Sequence, residues 1–260
     1  MPKKPYIIAN WKMNLDGHAV ERFFGHFQPT AEQLELARVV ICPSFVFIDT
    51  VRHLIGERQI GVGGQDISCQ TRGAFTGEVS AEQLHGAGAT FVIVGHSERR
   101  YNFHETDEMV NRKVRLALQF GLLPILCIGE NSAEKEAGLT KKTVERQLRQ
   151  CLAEVRSHEA RRVIVMYEPM WAISTSPDNP GGVADSPESA QVVHRYIRTV
   201  IKDLYDEHTA ETQDVIYGGS VNPENVRGFI QMDDVDGVLP GAASKEAASF
   251  QKIISQVVSK

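Results

Sequence analysis

An α/β chain folded as a closed (β/α)8 barrel with eight parallel strands is the architecture this sequence predicts, on three observations. Eight short apolar or β-branched runs recur along the 260 residues. A helix-like segment follows each run. No G-x-G-x-x-G follows the first run, which counts against a dinucleotide-binding sheet. Continuous apolar strands alternating with helices imply a parallel sheet covered on its outer face, because neither strands nor helical stripes can be buried otherwise. Eight such units in about 250 residues fit a single barrel domain, here residues 1–260. An open doubly wound sheet is the alternative.

In chain order the predicted strands are Tyr6–Ala9, Val39–Cys42, Ile60–Gly63, Phe91–Val94, Ile125–Ile128, Val163–Tyr167, Asp214–Tyr217 and Gly237–Leu239. Amphipathic periodicity predicts helices over Asp107–Phe120, Thr143–Val155 and Glu188–Tyr205. The last has a defined start, with Ser186 as N-cap and Pro187 at the first helical position. No internal linker or low-complexity segment interrupts the chain. The loosest stretch is Ser174–Ser186, rich in Ser, Pro, Gly and Asp.

Composition narrows the class. With 42% hydrophobic and 23% charged residues, the chain can bury a large core without disulfides or metal. Its net charge of −5 provides no basic footprint for nucleic acid, and Lys3-Lys4 and Arg99-Arg100 are too short to change that. Cys42, Cys69, Cys127 and Cys151 lack C-x-x-C spacing and read as reduced thiols. Met1–Ala9 has no signal-peptide core, and no apolar run approaches the roughly 18 residues of a membrane span. A soluble cytoplasmic protein with no membrane partner is expected. The histidines form no H-E-x-x-H pair, and charged residues separate His96 from His104, so no metal site is expected.

In a barrel, reactive groups gather at the C-terminal ends of the strands. There the sequence places Asn10-Trp11-Lys12, Gly95-His96-Ser97-Glu98, Glu168, Gly218-Gly219-Ser220 and Pro240-Gly241-Ala242. Taken singly, each has an ordinary reading: a solvated lysine, a structural histidine, a strand-end carboxylate, turn glycines. Together they bring a cation, an imidazole, a carboxylate and two small-residue loops to one opening. Loops of that kind present main-chain N–H groups to an anion, the usual phosphate site of a barrel. A carboxylate over a carbon next to a carbonyl can remove its proton, and an imidazole and an ammonium can stabilise the enediolate. The segment after Glu168, stiffened by Pro169 and carrying Trp171, suits a movable lid. This chemistry points to aldose–ketose isomerisation of a small phosphorylated sugar, without metal or redox cofactor.

Over nearly its whole length the chain resembles the triosephosphate isomerase family of TIM barrels. The resemblance is carried by Asn10-Trp11-Lys12-Met13-Asn14, Gly73-Ala74-Phe75-Thr76-Gly77-Glu78, Val94-Gly95-His96-Ser97-Glu98-Arg99-Arg100, Cys127-Ile128-Gly129-Glu130, Tyr167-Glu168-Pro169-Met170-Trp171-Ala172-Ile173 and Tyr217-Gly218-Gly219-Ser220-Val221. It implies that Glu168 is the base, His96 a neutral electrophile and Lys12 the balancing cation, with Asn10 orienting Lys12 and the substrate. The resemblance, not the residues alone, supplies that account. It also implies phosphate-binding N–H groups at Ser174, Ser220, Gly241 and Ala242, and a lid over Pro169, Met170, Trp171, Ala172, Ile173, Ser174, Thr175 and Ser176. Finally, it implies a homodimer in which the loop Gln65–Glu78, with Thr76 near its tip, enters the partner. Ile67, Gly73 and Phe75 set among polar residues make that loop unlike a simple solvent turn.

The chain departs from the family at three places. Ile173-Ser174-Thr175-Ser176-Pro177 stands where the family has Ile-Gly-Thr-Gly-Lys, the segment from there to Pro187 is longer than usual, and Gly241-Ala242 replaces a Gly-Gly. Ser174, Ser176 and Ala242 are expected at negative φ, where the loss of glycine costs nothing. Asp178–Asp185 is expected to form a surface bulge outside the hinge, and Pro177 to limit motion at the far end. Two other readings stay open: an isomerase of a longer sugar phosphate, and a non-catalytic homologue.

Overall fold

The computed structural model describes residues 3–179 and 184–259. Eight strands run in chain order: β1 (Tyr6–Asn10), β2 (Arg38–Cys42), β3 (Ile60–Gly64), β4 (Phe91–Val94), β5 (Leu123–Ile128), β6 (Ile164–Tyr167), β7 (Asp214–Tyr217) and β8 (Gly237–Val238). Each pairs in parallel with the next, and β8 returns to β1 with Gly237 opposite Tyr6, closing the barrel. The open-sheet alternative is thereby excluded.

Alternation along the strands builds two apolar layers. Ile8, Val40, Ile93, Ile125, Ile164, Met166 and Ile216 share the barrel interior. Their neighbours Ile7, Ala9, Val39, Ile41, Val92, Val94, Val165 and Val215 face outward into the layer shared with the helices. Burial on both faces explains why the strands read as continuous apolar runs. β3 contributes mainly glycine, and the Phe91 ring of β4 fills the space. A Cβ at Gly61 would meet that ring at 2.6 Å.

Helix ends follow local chemistry. Pro187–Leu204 begins as expected, with Ser186 Oγ accepting the Ser189 N–H at 3.1 Å. Asp107–Gln119 ends one residue before the expected limit. The helix expected at Thr143–Val155 instead spans Thr140–Cys151. Its first turn is polar and carries no apolar period, while Glu154, at φ 61°, turns the chain out of helix before Val155. Leu152 and Val155 are buried all the same, so the apolar period continues past the helix end.

All four cysteines are unbridged. Among the described residues, no helix is long and apolar enough to cross a membrane.

Candidate active site

Lys12 lies two residues beyond the end of β1 and occupies the left-handed region at φ 51°. For a residue with a β-carbon that conformation needs outside support. Asn10 Oδ1 accepts the Lys12 N–H at 3.0 Å, and the Lys12 carbonyl accepts from Ser44 Oγ at 3.1 Å and Gln65 Nε2 at 2.9 Å. The ammonium pairs with Glu98 Oε1 at 2.6 Å and donates to Thr175 Oγ1 at 3.2 Å.

His96 caps the helix Ser97–Asn102, and its Nδ1 accepts the Glu98 N–H at 3.2 Å. A nitrogen that accepts an N–H carries no proton, so the ring's own hydrogen is assigned to Nε2. Nε2 lies 2.9 Å from Glu168 Oε1. Glu168, at the end of β6, is 3% exposed. Its carboxylate also accepts the Ser97 N–H at 2.9 Å and Ser97 Oγ–H at 3.0 Å. Burial alone would raise its pKa. The His96 imidazole, the Ser97 N–H and the Lys12 ammonium outweigh burial and hold the carboxyl below the usual glutamate value of 4.5. The main chain of Glu168 crosses Gly129 so closely that a Cβ there would lie 2.0 Å from the Glu168 carbonyl oxygen. Any side chain at 129 would displace the carboxylate.

A cavity of about 230 Å³ gathers Asn10, Lys12, His96, Glu168, Ser174, Thr175, Ser220, Gly241 and Ala242. The N–H groups of Gly241 and Ala242 make no hydrogen bond among the described residues. Those of Ser174 and Ser220 are engaged, by Ser220 Oγ at 2.8 Å and the Ala172 carbonyl at 3.0 Å. Of the residues expected to form a lid, Pro169, Met170, Trp171, Ala172 and Ser176 do not line this cavity, and Thr76 lies away from it on an exposed loop tip. No group of three or more His, Cys, Asp or Glu among the described residues is arranged to hold a metal ion.

A sequence model described as triosephosphate isomerase matches residues 5–257. The chain belongs to the triosephosphate isomerase family. It is similar to the triosephosphate isomerases of Endomicrobium trichonymphae (38% identical, 97% of this chain and 98% of the relative), Aquifex aeolicus (39%, 95% and 97%) and Citrifermentans bemidjiense (40%, 97% and 98%).

The segment Ile173–Pro177 is where the chain departs most from the triosephosphate isomerase pattern. Ser174, Ser176 and Ala242 all lie outside the positive-φ region, so each keeps its N–H without backbone strain. Trp171 Nε1–H donates to the buried Glu130 carboxylate at 2.9 Å, which also accepts from Tyr167 and Thr140 hydroxyls. The expected bulge at Asp178–Asp185 is not a free surface loop at its described ends. Asp178 is half-buried and bonded to Ser132, and Asn179 and Asp185 are buried. Residues 180–183 of that segment lie outside the described residues.

Several partners of the site escaped the sequence reading. Ser97, Glu98 and Glu130 stand in the quoted motifs, and Gln65 begins the third loop, but none was assigned a task. A helix-capping reading of His96 would have placed Ser97 and Glu98 in the first turn, facing the barrel mouth.

Proposed function

We propose that this chain interconverts dihydroxyacetone phosphate and D-glyceraldehyde 3-phosphate through an enediolate, using Glu168, His96 and Lys12 and no cofactor. The convergence of these three side chains with two unengaged main-chain N–H groups in one small cavity carries the reading. At about 230 Å³ the cavity is smaller than the roughly 300–1,000 Å³ of sites for drug-sized ligands, which suits a three-carbon phosphate ester better than a longer sugar.

In this mechanism Glu168 turns from Ser97 toward the substrate and takes a proton from the carbon beside the carbonyl. The C–H electron pair forms the enediolate double bond, and the carbonyl pair moves onto oxygen. Leaving the His96 contact also frees Nε2–H to donate to the substrate oxygens, so one movement supplies both base and electrophile. Lys12 exchanges Glu98 for the substrate's negative charge. The hydroxyl proton on the first carbon's oxygen passes by way of His96 to the enediolate oxygen, and Glu168 returns its proton to the neighbouring carbon as the freed oxygen pair forms the new carbonyl. Gly241 and Ala242 N–H bind the phosphate, and Ser174 and Ser220 N–H join them as the lid rearranges.

Residues 1–260 act as one domain in this reading, in the cytoplasm and as a homodimer. The loop after β3 is exposed from Thr71 to Glu78, and Phe75 at its tip is 45% exposed. Ile67 is buried in the chain's own core, leaving Phe75 as the loop's apolar contact. The base of the loop is rigid, because Asp66 pairs with buried Lys113 at 2.6 Å, which also binds Glu105 at 2.5 Å. Exposed Met13, Val46, Tyr101 and Phe103 on the segments that follow β1, β2 and β4 give a partner's loop an apolar seat.

A coupled assay on both trioses, with five-carbon sugar phosphates as controls, tests the reading. Turnover of the trioses alone supports it. Turnover of the longer sugars, or of neither, replaces it with one of the other two readings.

A further inference from the structure

We propose that Asp178 is a positioning residue for the lid, clasping Ser132 so that the lid's far end is pinned to the connection after β5. The kinetic consequence rests on the isomerase reading; the clasp itself does not. Ser132 N–H donates to Asp178 Oδ2 at 2.5 Å, and Ser132 Oγ–H donates to the Asp178 carbonyl at 2.7 Å. Ser132 begins a short helix, so its N–H has no acceptor within that helix. Asn131 Oδ1 is occupied with the Glu134 N–H, which leaves the Ser132 N–H to a partner from outside.

The near end of the lid is tied to the same connection. Met170 N–H donates to the Glu130 carbonyl at 3.0 Å, and Trp171 Nε1–H donates to its carboxylate at 2.9 Å. Lys135 Nζ covers the Trp171 ring at 4.4 Å from its centroid. Residues 130 and 132 therefore hold the two ends of one span.

Between those ends the lid is compact. Ser176 N–H closes a turn on the Ile173 carbonyl at 2.9 Å, Asn179 N–H closes the next on Ser176 at 3.0 Å, and Asp178 N–H donates to Ser176 Oγ at 3.1 Å. Pro177 fixes its own φ and restricts Ser176 before it. A displacement of Asp178 is thus passed to Ser174 and Thr175, which reach Ser220 and Lys12. Without the clasp the lid's far end loses its anchor, and the fraction of molecules that can bring Ser174 N–H onto the phosphate falls. Apparent substrate affinity weakens by the same factor, while the reacting groups are untouched.

The experiment compares the wild-type chain with Asp178→Ala and Asp178→Asn. Amide hydrogen exchange is followed without substrate, and KM and kcat with the triose phosphates. Asp178→Ala is expected to speed exchange at Ser132 and across 171–178, leave the thermal midpoint unchanged and raise KM roughly three- to tenfold with kcat within about twofold. Asp178→Asn keeps an oxygen acceptor and is expected to stay near wild type in both. Unchanged exchange in Asp178→Ala overturns the clasp, as does an Asp178→Asn variant that behaves like alanine. Equal loss of kcat and KM performance together with a lowered thermal midpoint also overturns it, in favour of a merely structural role. A wild-type chain that turns over no triose phosphate removes the isomerase reading, and exchange alone then decides the clasp.

Discussion

His96 Nε2 and Glu168 Oε1 share a hydrogen bond of 2.9 Å, so the imidazole N–H that would polarise a substrate oxygen is held by the carboxylate that would act as base. On the proposed mechanism, replacing Glu168 by Gln preserves shape but removes the base. Turnover is expected to fall by about 10²–10⁴-fold, with much smaller change in substrate binding. Steady-state kinetics with an inhibitor-binding titration check both halves. Retention of more than about a tenth of the activity would mean that another group takes the proton.

The same contacts set the acid limb of activity. Glu168 is held below the usual glutamate value, so its charged, proton-accepting form persists to lower pH than an ordinary glutamate's. The kcat/KM profile reports free-enzyme ionisations, and after allowance for the substrate phosphate, the Glu168 limb is expected below pH 4.5. Ser97→Ala removes one of its donors and should move that limb upward. A limb that stays in place in Ser97→Ala would separate Ser97 from the base.

His194 provides a pH dependence of folding rather than of catalysis. It is fully buried, with Nδ1 3.2 Å from the Asp234 carbonyl and Nε2 unpartnered among the described residues. Burial pushes its pKa down from 6.5 to about 4. Between those values the unfolded chain binds a proton that the folded chain refuses, so stability rises with pH. The contribution is complete above 6.5 and is lost as pH falls toward 4, a total on the order of 3 kcal/mol. Urea unfolding across that range should show the slope, and His194→Gln, which keeps a donor for Asp234, should flatten it.

Assembly is testable at the loop tip. Phe75→Glu, or an arginine at Thr76, places charge in the proposed apolar seat and is expected to yield monomers with activity reduced at dilute concentration. Sedimentation velocity run alongside the assay decides this. A variant that remains dimeric, or a fully active monomer, would show that this loop does not build the site.

All eight strands, and the start of the helix at Pro187, were legible because period, β-branching and capping are local signals. Seven candidate residues that line the cavity, Asn10, Lys12, His96, Glu168, Ser220, Gly241 and Ala242, were legible once the barrel rule placed strand ends together, while Ile173, Ser174 and Thr175 came only with the family resemblance. Their supports were not. Glu98 meets Lys12 across 86 positions of sequence, and Gln65 reaches the Lys12 carbonyl across 53. No periodicity encodes such contacts; they come from loops after neighbouring strands converging at one rim. Asp178 was read as part of a surface bulge for the same reason, because a polar Ser-Pro-Asp stretch looks solvated until a main-chain N–H from another loop is found beside it.

The left-handed backbone of Lys12 makes position 12 a place where resilience and reactivity pull apart. An ordinary side chain there costs roughly 1–2 kcal/mol relative to a relaxed conformation, a penalty glycine escapes. Lys12→Gly would therefore relieve the backbone and also remove the ammonium that faces Glu98 and the cavity. A selection for heat resistance alone would drift toward glycine or asparagine at this position and discard the chemistry. If Lys12 is the balancing cation of the proposed mechanism, lysine in so unfavourable a conformation is what selection for turnover would leave behind.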